Sequence, residues 1–200
     1  MNVLAIDTSG SHLTVLIKTQ AGTTINYKKD AGLKHSVTLL TEVESALESA
    51  KLSLKDINVF CAVTGPGSFT GIRIGVSTVK AFAYAFNKKV LSVTSFDTIA
   101  YDSEEQKVLA VIDARHGNYY VCGYENKKVC LAPSFIDESE LKRLESEYKI
   151  ITLESADIKN GLVNAVNAKI KSATDDRESI VPLYVKKSQA EEEADDRKVD

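Results

Sequence analysis

Three short stretches of this 200-residue chain carry side chains whose types and spacing could do chemistry. Asp7-Thr8-Ser9 sets a carboxylate and two hydroxyls side by side, a grouping suited to magnesium-phosphate or hydroxyl recognition. The same residues are also ordinary turn formers. Gly65-Pro66-Gly67-Ser68-Phe69-Thr70-Gly71-Ile72-Arg73-Ile74-Gly75 joins an apolar run to a helical one. A glycine turn feeding a helix start leaves backbone amides pointing one way, where an anion can sit. Its spacing is neither that of the P-loop, which ends in Gly-Lys-Ser/Thr, nor GxGxxG. An anion cradle built on Gly65, Gly67 and Ser68 fits the stretch, and so does a tight turn with no ligand. Asp113-Ala114-Arg115-His116-Gly117 ends a further apolar run, and Asp113 is the one carboxylate suitably placed at a strand end there.

Other catalytic and metal chemistry finds no support. His12, His35 and His116 stand singly, with no metal-pair spacing and no recognisable Ser/His/Asp arrangement, so neither a metal site nor a catalytic residue is predicted. Cys61, Cys122 and Cys130 are odd in number, lack CxxC spacing and lie in apolar runs. They read as reduced core residues of a cytoplasmic protein.

The elements that must hold these stretches follow from periodicity. Val3 to Ile6 reads as a strand ending in Asp7, followed by Leu13 to Lys18 and Thr24 to Lys28 in an antiparallel meander. Lys34-His35-Ser36 opens a helix to about Lys51, with Leu39, Val43, Ala46 and Ala50 as its seam and Val37, Leu40 and Leu47 flanking it. Glu42, Glu44 and Glu48 read as its solvated side, and His35 as a hydrogen-bonding group at its entrance. Val59 to Val63 is a buried strand, and Ser68 or Thr70 caps the helix that follows. In that helix Ile72, Val76, Val79, Ala83 and Phe86 form one stripe, yet Ile74, Ala81, Phe82 and Ala85 lie off it. A helix apolar almost all round is buried on more than one side, by its own domain or by another protein. A strand to Val93 and a short helix capped by Ser95 come next.

The second half opens with Val108 to Ile112, then Asn118 to Tyr124 with a hairpin partner at Lys128 to Leu131. A helix at Asp137 to Tyr148, a strand at Ile150 to Leu153 and a helix at Leu162 to Ile170 follow. The polar stretch Asp102 to Gln106 is the expected boundary, giving units at 1–102 and 103–188. The acidic residues from 189 to 200 are expected to be solvated or disordered. The net charge of −3 gives no global drive toward nucleic acid. Met1-Asn2-Val3-Leu4 lacks a basic start, so no signal peptide is expected, and no apolar run approaches the roughly 20 residues of a membrane span.

Two halves that each begin with a buried strand ending in an Asp-containing turn suggest a duplicated α/β unit. Ile6-Asp7-Thr8-Ser9, His35-Ser36, the glycine stretch 65–75, Asp113-Ala114-Arg115, Pro182-Leu183-Tyr184 and Ser188-Gln189-Ala190-Glu191 together resemble the TsaB (YeaZ) family. The likeness covers nearly the whole chain and is weakest from about Cys130 to Ser179. It implies a duplicated ASKHA fold (actin/Hsp70-like, ribonuclease H-like) with a shortened second half. It also implies a part in making threonylcarbamoyladenosine on tRNA next to the anticodon. The catalytic paralogue, TsaD, carries an HxxxH metal pair; the matching positions here are Ser95 and Ile99, neither able to replace imidazole. The resemblance therefore implies a non-catalytic partner of TsaD.

The resemblance further implies that the helices after His35 and Gly71 pair with the same two helices of TsaD, or of a second copy when the chain is alone. On that basis His35, Leu39, Val43, Phe69, Arg73, Val76, Val79 and Lys80 are expected at the partner interface. A TsaE-like ATPase is expected in the complex, with tRNA met only through it and no membrane association. No cofactor is expected to reside in this chain, with ATP or ADP entering in the complex. The alternative is a weak nucleotide-binding or ATP-hydrolysing enzyme using Asp7, Thr8, Ser9, the Gly65–Ser68 turn and Asp113. Roles for Arg115 and His116 do not follow from the sequence.

Overall fold

The computed structural model describes residues 1–31 and 35–186. Lys34, Ser188, Gln189, Ala190, Glu191 and the acidic terminus lie outside the described residues. The first sheet is built from β1 (Val3–Asp7), β2 (Leu13–Lys18), β3 (Thr23–Lys28), β4 (Val59–Val63) and β5 (Lys89–Val93). Its order is β3-β2-β1-β4-β5, antiparallel from β3 to β1 and parallel from β1 to β5. Short turns make the meander antiparallel, whereas parallel neighbours need long crossovers. Those crossovers are α1 (His35–Ala50), between β3 and β4, and α2 (Phe69–Ala85), between β4 and β5.

β1 and β4 are buried along their full length and apolar but for Asp7 at the end of β1, which is what a sheet covered on both faces requires. The period of two sorts them. Leu4, Ile6, Phe60 and Ala62 face α1 and α2, whose Leu39, Val43, Ile72, Val76 and Val79 complete that core. Val3, Ala5, Cys61 and Val63 face the opposite way, onto Leu162, Ala165 and Val166 of α5 (Ile158–Lys169).

The second sheet holds β6 (Lys107–Arg115), β7 (Asn118–Glu125), β8 (Lys128–Asp137) and β9 (Lys149–Thr152), in the order β8-β7-β6-β9. α3 (Ser95–Ala100) packs Phe96 and Ile99 against Val108, Ala110 and Tyr124 on one face. α4 (Glu138–Leu144) covers the other with Leu141. A helix thus lies outside each sheet, with α3 and α5 between them. The 102/103 boundary divides the strands but not the helices: α5 sits in the core of the first sheet, and Ile180 joins the core under α1 and α2.

Several local readings need correction. Thr94, not Ser95, is the N-cap of α3, and its side chain accepts the Asp97 amide. β8 extends to Asp137, beyond Leu131, and α5 begins four residues before Leu162. Cys130 is exposed on β8, whereas Cys61 and Cys122 are buried as expected. Glu42 is buried rather than solvated: its carboxylate pairs with Lys28 at 2.7 Å, and Asn26 Nδ2 donates to its backbone carbonyl at 3.2 Å. Among the described residues no helix is long and apolar enough to cross a membrane.

Candidate functional site

The turn after β1 is the hub of the first unit. Asp7 lies at the end of β1 and is only 2% exposed. Its Oδ1 accepts the Ser9 amide at 2.9 Å and the Ser9 hydroxyl at 2.7 Å, and its Oδ2 accepts His12 Nε2 at 2.9 Å. Burial alone would raise this carboxyl, but the His12 charge and the hydrogen bonds of His12 and Ser9 outweigh it and hold the pKa below the usual value. Burial likewise works to lower His12, and the charge and hydrogen bond of Asp7 outweigh it, raising the imidazole above its ordinary value. In sequence this pair is no more than a histidine five residues after an aspartate; the β1–β2 turn folds it back onto the carboxylate.

From this hub, contacts run to three helices. His35, the first residue of α1, donates from Nε2 to the His12 carbonyl at 2.9 Å; a carbonyl can only accept, so that nitrogen carries the hydrogen. Thr8 Oγ1 donates to the Gly71 carbonyl at 2.7 Å, and the Ser68 amide donates to the Ser9 carbonyl at 2.6 Å. Ser95 Oγ donates to Ser9 Oγ at 3.1 Å.

The residues of the phosphate reading, Asp7, Thr8, Ser9, Gly65, Gly67 and Ser68, come together at this turn, and several of them are bonded within the chain. Ser68 is the N-cap of α2, its Oγ accepting the Gly71 amide at 3.2 Å and its carbonyl accepting the Ile72 amide at 2.8 Å. The Ser68 and Gly71 amides are thus taken by protein oxygens, and the Asp7 carboxylate accepts from His12 and Ser9. The glycines serve close approach. A Cβ on Gly67 would stand 2.2 Å from the Ser9 carbonyl oxygen, and one on Gly71 2.0 Å from that of Thr8. Gly65 takes φ of +106°, which favours glycine. A cleft of about 320 Å³ opens beside the turn, walled by Pro66, Phe69, Ile72, Tyr120 and Tyr184, with Lys186 at its lining and no carboxylate.

The positions that match the TsaD histidine pair lie inside the chain. Ser95 and Ile99 are both buried. Among the described residues no group of three or more His, Cys, Asp or Glu side chains could hold a metal. Asp113 is exposed and accepts only the Arg115 amide, at 2.7 Å, in a hairpin where Arg115 and His116 both have positive φ.

The expected interface residues divide into two groups. His35, Leu39, Val43, Val76 and Val79 are buried in the chain's own core, so they hold the helices to the sheet and do not face outward. Periodicity finds the strongest apolar seam, and that seam is the one facing the sheet. Phe69, Arg73 and Lys80 sit on the flank of α2, engaged by the segment that follows α5. Glu178 pairs with Lys80 at 2.9 Å, Arg73 Nε donates to Tyr184 Oη at 2.8 Å, and Phe69 stacks on Tyr184 with centroids 5.3 Å apart. Arg177 seals the end of α2, donating from Nε to the carbonyls of Ala83 and Lys88 at 3.1 Å each.

Apart from Arg73, what the two helices leave exposed is a different set. On α1, Val37 is 77% and Leu40 55% exposed, although both are large and apolar. On α2, Arg73, Ser77, Ala81 and Ala85 follow at four-residue steps and are all exposed, with Ile74 half-buried beside them. These outward positions form a low ridge one helix away from two exposed aliphatic side chains, a surface that another helix could approach closely.

A mixed sheet of this order with crossover helices, joined to a smaller second sheet, defines the α/β ASKHA class. Comparison with known proteins narrows it. A family model described as TsaD, tRNA N6-adenosine threonylcarbamoyltransferase, matches residues 22–149, and the chain belongs to that family, on its TsaB (YeaZ) side. It is 29% identical over 70% of its length to the tRNA threonylcarbamoyladenosine biosynthesis protein TsaB of Bacillus subtilis, covering 62% of that protein. It is 33% identical over 62% of its length to the protein of that name from Escherichia coli, covering 55%. The chain thus spans little more than half the length of these curated relatives. In fold it is similar to YeaZ from Pseudomonas aeruginosa, with a TM-score of 0.74 at 21% identity over 92% of this chain and 99% of that one.

Proposed function

We propose that this chain is a non-catalytic subunit of the machinery that makes threonylcarbamoyladenosine on tRNA, and that it acts by pairing with a TsaD-type transferase. The observation that carries the reading is the outward face of α1 and α2. Both helices already fill a complete core on their inner side, yet Val37 and Leu40 stand in water beside the Ser77–Ala81–Ala85 ridge. Helices that keep exposed apolar or small side chains after filling their own core offer what a helix-to-helix interface needs.

The residues that would do chemistry support the same reading from the other side. Asp7, Ser9 and His12 saturate one another, and Ser68 and Gly71 lock α2 to the turn. These contacts fix where α1 and α2 sit, so the hub serves the face and not a substrate. Partner activation then requires only that this face bind the active form of the transferase better than the inactive form. Alone, the same face pairs with a second copy. A TsaE-like ATPase joins the cytoplasmic complex, which brings tRNA and any ATP or ADP to sites outside this chain.

The test is reconstitution. Purified transferase, ATPase and the adenylate-forming enzyme are assayed for tRNA threonylcarbamoylation with and without this chain. Product that depends on its addition supports the reading, and equal product without it rejects the reading.

A further inference from the structure

We propose that Arg73, stacked on Phe69 and tied to the Tyr184 hydroxyl, is the anchor by which this face receives a carboxylate side chain of the transferase. The inference rests on the pairing reading above and adds the chemistry of its recognition. Arg73 is exposed on α2, one turn before Ser77 on the outward ridge. An exposed arginine normally samples many rotamers, and ordering it costs affinity. Here the order is already present. The guanidinium carbon lies 3.7 Å from the centroid of the Phe69 ring and 5.8 Å from that of Tyr184, and Nε is bound to the Tyr184 hydroxyl at 2.8 Å.

With Nε taken and one face stacked, the two terminal nitrogens are what remains. Neither has a hydrogen-bond or ion-pair partner among the described residues. They form a planar fork of donors, the shape that a carboxylate or a phosphate accepts bidentately. The surroundings favour a protein carboxylate over nucleic acid. The next cation along the helix, Lys80, is neutralised by Glu178, and the neighbouring ridge is Ser77, Ala81 and Ala85, so α2 itself presents no basic stripe for a phosphate backbone. Tyr184 comes from the far end of the chain, so the terminal segment completes the clamp.

The experiment titrates the full chain with the purified TsaD-type transferase by calorimetry, with melting temperature recorded for each variant. Arg73→Ala is expected to weaken binding about tenfold or more. Arg73→Lys should fall similarly, because it keeps the charge and loses the fork. Tyr184→Phe should lie between these and the native chain, all with melting near native. Native affinity in Arg73→Lys would overturn the bidentate contact. Native affinity in Arg73→Ala, with binding lost in Leu40→Glu, would overturn the clamp and leave the pairing reading standing. Native affinity in both would reject the pairing reading itself. Loss confined to self-association, or to tRNA retention, would assign the fork to a second copy or to nucleic acid and overturn the proposal.

Discussion

The Asp7 carboxylate and His12 Nε2 lie 2.9 Å apart in the interior, and the His12 carbonyl in turn holds His35 at the head of α1. One buried ion pair therefore connects the first strand to the helix that carries Val37 and Leu40. Removing one partner would leave the other charge buried and alone. Asp7→Ala is expected to destabilise the fold by on the order of 3 kcal/mol, measured by urea unfolding.

The pair also predicts a pH dependence. Asp7 is depressed from 3.8, so its contribution is present above that value and is lost as pH falls through the lowered one. His12 is raised from 6.5, so its contribution is complete below that value and is lost as pH rises through the raised one. The native chain should therefore exceed His12→Gln in melting temperature most between 3.8 and 6.5, with the difference shrinking on the alkaline side. A difference that stays flat to about pH 9 would show that the pair is not what stabilises the turn.

Gly71 lies where α2 meets the turn, and a Cβ there would stand 2.0 Å from the Thr8 carbonyl oxygen. Backbone on both sides leaves little to yield. Gly71→Ala should cost about 2 kcal/mol or more by overpacking, whereas Ser77→Ala on the outer ridge should change stability by less than about 0.5 kcal/mol. Equal melting temperatures for the two variants would contradict the close approach.

Much of this architecture was legible in the residues. The meander, both long helices, the α2 cap at Ser68 and the buried β1 and β4 follow from period and turn chemistry. What could not be read was which apolar side of a helix faces inward. Leu39, Val43, Val76 and Val79 form the best seams and are core, while Val37 and Leu40 looked like flanking core and stand in water. Glu42 has the same origin: its place on the helix says polar side, and only the approach of Lys28 from β3 explains its burial. His12 could not be matched to Asp7 without the turn that joins them. Nor could the contacts from Glu178 and Tyr184 to α2 be foreseen, because they link residues about 100 positions apart.

The Asp7 carboxylate, taken by His12 and Ser9, and the Ser68 and Gly71 amides, given to protein oxygens, predict an absence of phosphate chemistry. Purified chain should turn over no ATP above buffer background, and Asp7→Ala and Asp113→Ala should behave alike. Turnover that disappears in Asp113→Ala would instead favour the nucleotide-hydrolysing alternative.

The central claim is that the outer face of α1 and α2 binds the transferase, and Leu40→Glu tests it most directly. The substitution puts a charge on a residue 55% exposed, where it can remain hydrated in the free chain. Calorimetric titration of the TsaD-type transferase should show binding weakened by about tenfold or more, with the melting temperature of the variant unchanged. Native affinity in a folded Leu40→Glu chain would contradict the account.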